Sequence, residues 1–274
     1  MARMSTRRKL AIASWGSPKE GNIYGKLTVD AGPAVAWIEE QRERTGEKIT
    51  ITHLVGKACA LALHRAPSLN GRILFGRFVE HRSVDVAFLV AIDGGSDLAK
   101  ARIRDVDRKP VAEIAAELGA RAERLKQGKD DDFEKSKGLL RALPTWLIRP
   151  LVGLIGWLAS CLGLSIPALG IERFPFGSCI VTSVGMLGLD EGFAPPTPWA
   201  HVPLYVLVGA LRKRPAVVDD KIVIQEQLTI TATIDHRFID GYQGAILARA
   251  VREVFADPTC LDRDADGGAG ADGA

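Results

Sequence analysis

Residues 228–241 read LTITATIDHRFIDG, and this stretch decides which fold the chain can adopt. Its first seven residues alternate between apolar side chains and threonines, which is the pattern of a β-strand with one buried face. His236 and the pair Asp240-Gly241 come directly after that strand. A helical pattern follows, with apolar residues spaced to share one side, namely Ala245, Ile246, Ala250, Val251, Val254 and Phe255. The stretch therefore predicts a strand, a histidine-bearing turn and a helix in immediate succession.

His236 is the candidate catalytic residue of this turn. An imidazole at a strand-to-helix junction can act as a general base near neutral pH, although many such histidines only form hydrogen bonds within a core. Asp240 has two interpretations. Its carboxylate can orient a neighbouring ring or arginine, or it can cap the helix that follows, which is the ordinary role of an Asp-Gly pair at this place.

The composition of the 274-residue chain is that of an ordinary globular protein. A formal net charge of +3 is too small to predict nucleic-acid binding, and we expect none. The four cysteines form no CxxC pair, so we expect neither a metal site nor disulfides, and a cytoplasmic protein with reduced thiols. The first fifteen residues lack the apolar run of a signal peptide. Residues 262–274 are rich in Asp, Gly and Ala and are predicted to be a disordered polar tail.

Elsewhere the periodicity predicts both helices and strands. We expect one helix over residues 33–44 and a second one that begins after a cap at Thr50 or Thr52. A third helix is predicted to have Pro110 in its first turn. Further strands are predicted over 84–92, 178–183, 205–211 and 221–224. This mixture indicates a layered α/β domain rather than a helix bundle or a β-sandwich.

Residues 138–171 form an unusually apolar segment with only two charges, Arg141 and Arg149. Residues 150–171 carry no charge and are nominally long enough to cross a bilayer. We do not expect a crossing, because it would place two halves of one domain on opposite sides of the membrane. Three roles stay open: contact with a membrane interface, burial against the same domain or a neighbouring subunit, and a lid over an acyl chain.

The motif DHRFIDG at 235–241 resembles the active-site signature of dihydrolipoamide acyltransferases, the central subunits of 2-oxo-acid dehydrogenase complexes. Four further stretches resemble the same catalytic core: PSLN at 67–70, DVDRK at 105–109, IVTSVGM at 180–186 and KRPAVVD at 213–219. The resemblance covers residues 5–260 with one large interruption. It implies an α/β fold of the chloramphenicol-acetyltransferase-like kind, a two-layer sandwich with a mixed sheet and helices on one side.

The resemblance also implies the domain organisation and the assembly. Residues 1–261 would form the acyltransferase core, interrupted by the apolar insertion at 138–171. Members of this family are homo-oligomers, so a trimer is implied, and larger cages of trimers are possible. Coenzyme A is the implied substrate, as an acyl thioester, and no metal is implied.

The family's mechanism assigns roles to three residues of this sequence. His236 would take the proton of a thiol, and Thr182 would donate its hydroxyl to the tetrahedral oxyanion. Asp240 would hold the geometry of the site through Arg7 or Arg8. In this family the histidine and the hydroxyl come from different subunits.

Four more residues are candidates for substrate binding. Ser183, where the family has asparagine, and Gly241 follow from their positions in the motifs. Lys100 and Arg102 lie two residues apart in a predicted strand over 97–103, so they share a face. They could meet the phosphates of coenzyme A, or they could simply form a solvated strand face.

The chain as given begins at the catalytic core, whereas the family normally has lipoyl and subunit-binding domains before it. We therefore expect a lipoyl group to be used only in trans. The alternative is a self-assembling scaffold or shell protein of the same fold with little catalysis. A xenobiotic acetyltransferase is a third possibility, which the DHR start of the motif disfavours because those enzymes have a second histidine there.

Overall fold

The computed structural model describes residues 21–92, 97–127 and 143–262. Its helices are α1 (Gly32–Thr45), α2 (Ile51–Arg65), α3 (Val111–Lys126), α4 (Thr145–Gly156) and α5 (Gly241–Ala256). Its strands are β1 (Asn22–Asp30), β2 (Gly71–Leu74), β3 (Arg77–Glu80), β4 (Val86–Ile92), β5 (Asp97–Ile103), β6 (Cys179–Ser183), β7 (Leu204–Val208), β8 (Arg212–Val218) and β9 (Lys221–Asp235). Most predicted elements are found with shifted ends, and β1, β2, β3, β8 and α4 are additional.

A mixed sheet organises the part of the chain that the structure describes. The strand order is β1-β9-β7-β6-β4-β5, with β8 pairing only with the first half of β9. Strand β6 runs parallel to both β4 and β7, and the other pairs of this sheet are antiparallel. Strands β2 and β3 form a separate hairpin.

Helices α1, α2, α3 and α5 cover one face of the sheet. Strand residues that alternate toward this face, such as Val181, Val206 and Ile230, join the helices in one large buried cluster. The predicted two-layer α/β sandwich with helices on one side is confirmed. Of the two candidate caps, Thr50 is the N-cap of α2, while Pro110 precedes the first turn of α3 rather than lying in it.

The opposite face of the sheet is covered by irregular chain. A smaller apolar cluster there includes Ile180, Ala200 and Tyr205. The Tyr205 hydroxyl accepts a hydrogen bond from the Thr197 amide at 3.0 Å, and burial raises the pKa of Tyr205 to about 12. Loop residues that precede β7 therefore close this face in place of a helix.

Strand β9 is longer than predicted. Two separate strands were expected at 221–224 and 228–234, because the polar residues 225–227 interrupt the apolar pattern. The backbone continues through them as one strand of 15 residues, since β8 supplies hydrogen-bond partners as far as Gln227. The β8–β9 hairpin extends beyond the rest of the sheet and leaves Val217, Ile222 and Ile224 between 74% and 82% exposed.

The apolar segment docks one of its sides onto the domain. Helix α4 continues into a wide turn, Trp157–Cys161, in which Ala159, Ser160 and Cys161 are buried. The Arg72 guanidinium of β2 donates to the Cys161 carbonyl at 2.7 Å. The other side of the segment leaves Trp146, Leu154 and Leu164 at least half exposed. Burial against the same domain, one of the three expected roles, is thus observed for one side.

The end of the described chain also differs from the expectation. Residue 262 was predicted to begin a disordered tail, yet the Asp262 carboxylate accepts a hydrogen bond from the Trp37 indole at 2.9 Å and pairs with Arg44 at 3.1 Å. These contacts attach it to α1. The remainder of the predicted tail, 263–274, lies outside the described residues, as do Arg7, Arg8 and Arg141.

The docking of α4 can be tested at a single glycine. A Cβ atom at Gly156 would lie 2.2 Å from the Trp199 carbonyl oxygen, whereas one at Gly153 in the same helix would meet nothing within 4 Å. We expect Gly156→Ala to destabilise the fold by about 1–3 kcal/mol and to lower Tm by about 3–10 °C. Gly153→Ala, the matched control, should be neutral or slightly stabilising, because alanine favours a helix. Equal Tm values for the two variants in thermal denaturation would contradict the tight contact.

Candidate active site

His236 lies immediately beyond the end of β9, with its side chain exposed. Its amide donates to the Gly21 carbonyl at 3.2 Å, and the preceding amide of Asp235 donates to the Pro203 carbonyl at 2.9 Å. Because β9 is paired with β1 on one side and β7 on the other, both neighbours fix where the strand ends. The imidazole is therefore presented outward from a rigid part of the sheet.

An ion pair within the motif holds the turn around His236. The Arg237 guanidinium meets the Asp235 carboxylate in a two-point contact, Nε–Oδ1 at 3.0 Å and Nη2–Oδ2 at 2.6 Å. The Arg237 amide also donates to Asp235 Oδ1 at 2.9 Å. Charged hydrogen bonds with this geometry are stronger and more directional than neutral ones. The sequence analysis gave Asp235 and Arg237 no role. Their opposite charges on either side of His236 were the signal that could have predicted this ion pair.

Asp240 is the N-cap of α5. Its carboxylate accepts from the Tyr242 amide at 2.9 Å, and its own amide donates to the Gln243 side chain at 3.0 Å. The capping interpretation is therefore observed, while the predicted contact with Arg7 or Arg8 falls on residues outside the described ranges. Gly241 begins the helix, and a Cβ atom there would meet nothing within 4 Å.

Thr182 and Ser183 lie at the end of β6. Thr182 is buried and points to the face of the sheet without helices, because its neighbours Cys179 and Val181 join the helix-side cluster. The strand register places Thr182 beside Leu207 of β7, which is beside Thr231 of β9.

This register separates Thr182 from His236 within one chain. His236 lies five residues beyond Thr231, which is about 17 Å along the strand direction. Thr182 lies two strands away from β9, which is about 10 Å in the perpendicular direction, so the two residues are about 20 Å apart. The structure therefore does not bring the two candidate catalytic side chains together in a single subunit. A thioester carbonyl that touches one of them is out of reach of the other.

Arg102 departs from its expected role. Its side chain is only 6% exposed, and it donates to the carbonyls of Arg173 and Phe174 at 2.8 and 2.6 Å while pairing with Glu172. The expectation of a solvated strand face is wrong for it, and its contacts in this chain are to the protein rather than directed at a phosphate. Burial lowers the pKa of Arg102, an effect that the carboxylates of Glu172 and Asp85 oppose.

Lys100, on the same strand face, stays half-buried. Its ammonium nitrogen lies 5.1 Å from the centre of the Phe176 ring, a cation–π arrangement. In the described part of the chain, no group of three His, Cys, Asp or Glu side chains is placed to hold a metal ion. Within the same residues, no helix combines the length and apolarity that crossing a bilayer requires.

The profile of one protein family matches most of this chain. It is described as the catalytic domain of the 2-oxoacid dehydrogenases acyltransferase family, and it matches residues 21–138 and 168–261, more than three quarters of the sequence. The chain belongs to this family. The unmatched residues 139–167 lie inside the apolar segment, so the acyltransferase domain aligns on both sides of it.

Curated relatives of this acyltransferase domain are larger proteins. A dihydrolipoyllysine-residue acetyltransferase component of the pyruvate dehydrogenase complex from Rhizobium meliloti is 26% identical over 77% of this chain and 38% of its own length. A succinyltransferase component of the 2-oxoglutarate dehydrogenase complex from Haemophilus influenzae is 25% identical over 80% and 45%. The chain thus spans less than half the length of these two relatives.

Solved structures show the same fold. A probable dihydrolipoamide acetyltransferase from Listeria monocytogenes superimposes with a TM-score of 0.67 at 19% identity, covering 98% of this chain and 97% of that one. The cubic core of a pyruvate dehydrogenase multienzyme complex gives 0.66 at 19% identity, covering 93% and 88%. The family predicted from the motifs is confirmed.

Proposed function

We propose that this acyltransferase domain moves an acyl group between a coenzyme A thioester and a thiol, such as that of a dihydrolipoyl group supplied in trans. The observation that carries the proposal is His236, exposed at the end of β9 and steadied by the Asp235–Arg237 ion pair, within a matched acyltransferase domain. The relatives named for acetyl and succinyl transfer support the same reaction.

In the proposed reaction His236 takes the proton from the acceptor thiol as the sulfur attacks the thioester carbonyl. The carbonyl π electrons move to oxygen, and the hydroxyl of Thr182 donates a hydrogen bond to that oxyanion. When the intermediate collapses, the bond from carbon to the leaving sulfur breaks. The leaving thiolate then takes the proton back from the His236 imidazolium, so the enzyme returns to its first state.

The active site in this proposal lies between two subunits. One chain holds His236 and Thr182 about 20 Å apart, which supports a site that takes one residue from each of two neighbouring chains. The exposed apolar residues Val217, Ile222 and Ile224 of the β8–β9 hairpin support self-association, because such patches usually mark interaction surfaces. A trimer is the smallest closed ring that we propose, and cages of trimers remain a further prediction.

Substrate binding is assigned to Ser183, Gly241 and Lys100. Ser183 follows the proposed oxyanion donor on β6, and the open space at Gly241 leaves the start of α5 accessible to a substrate or a neighbouring chain. Lys100 is a half-buried residue whose ammonium lies near the Phe176 ring, and we assign it to a phosphate of coenzyme A. Arg102 is assigned instead to holding residues 172–174.

Two other predictions remain without support from the relatives. An inactive scaffold of the same fold is not favoured, since the relatives that match are named as transferases. Contact of residues 138–171 with a membrane surface stays a prediction, and the exposed Trp146 and Leu154 are the described side chains that would make it.

Incubating the purified protein with acetyl-CoA and free dihydrolipoamide tests the reaction directly. We expect acetyl-dihydrolipoamide and free coenzyme A to form in equal amounts, measured by mass spectrometry of both products. Succinyl-CoA and a branched acyl-CoA are run in parallel, because the acyl group is not assigned. Absence of transfer with all three donors, by protein of native Tm, would refute the proposal.

A further inference from the structure

Two cavities lie next to each other, and the apolar segment forms part of the wall of each. The smaller one is also lined by Arg237 and Phe238, which belong to the turn that carries His236. The larger, about 360 Å³, separates α4 from the loop before β7 and is lined by Arg149, Val152, Gly153, Trp157, Trp199 and His201. The smaller, about 240 Å³, reaches the β2–β3 hairpin and is lined by Ile73, Phe75, Trp157, His201, Arg237 and Phe238. Because Trp157 and His201 line both, the cavities are adjacent lobes of one region.

The lining suits a ligand that is apolar with a negative end. Apolar side chains form most of the wall of the larger cavity and about half of that of the smaller one. The charged groups among the described lining residues are the guanidiniums of Arg149 and Arg237. Burial lowers the pKa of His201, and the nearby Arg237 lowers it further, while the Asp235 carboxylate opposes the shift. Both arginines are exposed, and Arg237 also pairs with Asp235.

The position of these cavities links them to the candidate active site. Arg237 directly follows His236, and the Pro203 carbonyl, two residues after His201, accepts from the Asp235 amide at 2.9 Å. The walls contributed by α4 and Trp157 belong to residues 139–167, which the family profile does not match. This region is therefore built in part by the segment that the family profile does not match, together with matched residues such as His201 and Arg237.

We propose that the two cavities form one binding site for the apolar acyl chain of an anionic compound, either a free carboxylic acid or an acyl-coenzyme A, in which the phosphates carry the negative charge. The thioester form rests on the proposed function, whereas binding of the free carboxylate does not. The larger lobe alone falls within the range of roughly 300–1,000 Å³ that is usual for small-molecule sites. Because each methylene that is removed from water there adds to the hydrophobic stabilisation, longer chains bind more tightly.

Gly153 offers a way to fill the site without disturbing the fold. It lines the larger cavity, and a Cβ atom on it would meet nothing within 4 Å, so Gly153→Leu directs a side chain into the lobe. Trp157→Ala removes the wall shared by both lobes, although it also removes the contact of Trp157 with Phe75. Trp146→Ala is the matched control, because Trp146 lies on the same helix and is 75% exposed.

Isothermal titration calorimetry with sodium acetate, sodium octanoate and octanoyl-CoA tests the proposal on the full chain. We expect the wild type and Trp146→Ala to bind octanoate at least tenfold more tightly than acetate. Gly153→Leu, with its Tm unchanged, should weaken octanoate binding at least tenfold, and Trp157→Ala should weaken it as well. Octanoate affinity that is equal to that of acetate, or that is unaltered by Gly153→Leu, would overturn the proposal.

The outcomes separate this site from the proposed reaction. Octanoate binding that Gly153→Leu abolishes, in a protein that transfers no acyl group, supports the site and refutes the enzyme. Acyl transfer by a protein that does not bind octanoate refutes the site and supports the enzyme. Tighter binding of octanoyl-CoA than of octanoate identifies the thioester as the preferred source of the acyl chain, and the reverse order identifies the free acid.

Discussion

Replacing His236 by asparagine should lower acyl transfer from acetyl-CoA to dihydrolipoamide by about two to four orders of magnitude, because the thiol loses its general base. The fold should be unaffected, since the imidazole is exposed and the hydrogen bond to Gly21 comes from the backbone amide. The measurement is kcat/KM for dihydrolipoamide at a saturating concentration of acetyl-CoA, together with the Tm of the same preparation.

His64 provides the control for this substitution. Its side chain is also exposed, at 66%, and its imidazole lies 3.2 Å from the Asp107 carboxylate on the helix side of the molecule. His64→Asn should leave kcat/KM within about twofold of the wild type, because substitutions of exposed residues away from a site have small effects. If His64→Asn and His236→Asn are equally active, His236 is not the base.

Mixing two inactive variants should restore activity if the active site lies between chains. Thr182→Val keeps the shape of a buried side chain but removes the hydroxyl, and we expect it to lower kcat by about 10²–10³. A site that takes its histidine from a Thr182→Val chain and its threonine from a His236→Asn chain has both groups intact. In every mixed trimer one of the three sites is of this kind, so about one third of wild-type activity should return.

The experiment needs co-expression of the two variants with different affinity tags, so that only mixed assemblies are assayed. A mixture of His236→Asn with the double variant His236→Asn, Thr182→Val is the control, because it contains no intact histidine and should stay inactive. Mixed assemblies that remain as inactive as their parents would place both groups in one chain, contrary to the separation of about 20 Å inferred from the strand register.

Local patterns in the sequence were sufficient for much of the fold. The alternation of residues 228–234 predicted the inner half of β9, and the apolar stripe after Gly241 predicted α5. The prediction was wrong at residues 225–227, because their polar side chains suggested a break between two strands. They belong to β9, where backbone pairing with β8 holds them in the strand. Pairing between strands depends on backbone hydrogen bonds to a partner, and a single stretch of sequence carries no record of that partner.

The candidate site shows the same division. The motif identified His236 and Thr182 through a family resemblance, but their spacing in sequence gave no distance between them. The burial of Arg102 was also hidden, because its carbonyl and carboxylate partners at residues 172–174 lie about 70 residues away along the chain. Exposure of a strand residue depends on what later segments cover that face.

By itself, the sequence determined that a strand carrying threonines on one face ends at a histidine followed by a capped helix, and that residues 138–171 are apolar. Both follow from side-chain chemistry and local periodicity, which act within a few residues. Only the tertiary structure decided that β9 is continuous, that Arg102 is buried, and that α4 docks through Gly156 against Trp199. It also decided that two cavities form there, the smaller of them lined by Arg237, which follows His236. These outcomes depend on packing between segments distant in sequence, where an atom such as the Trp199 carbonyl oxygen sets how closely two elements approach.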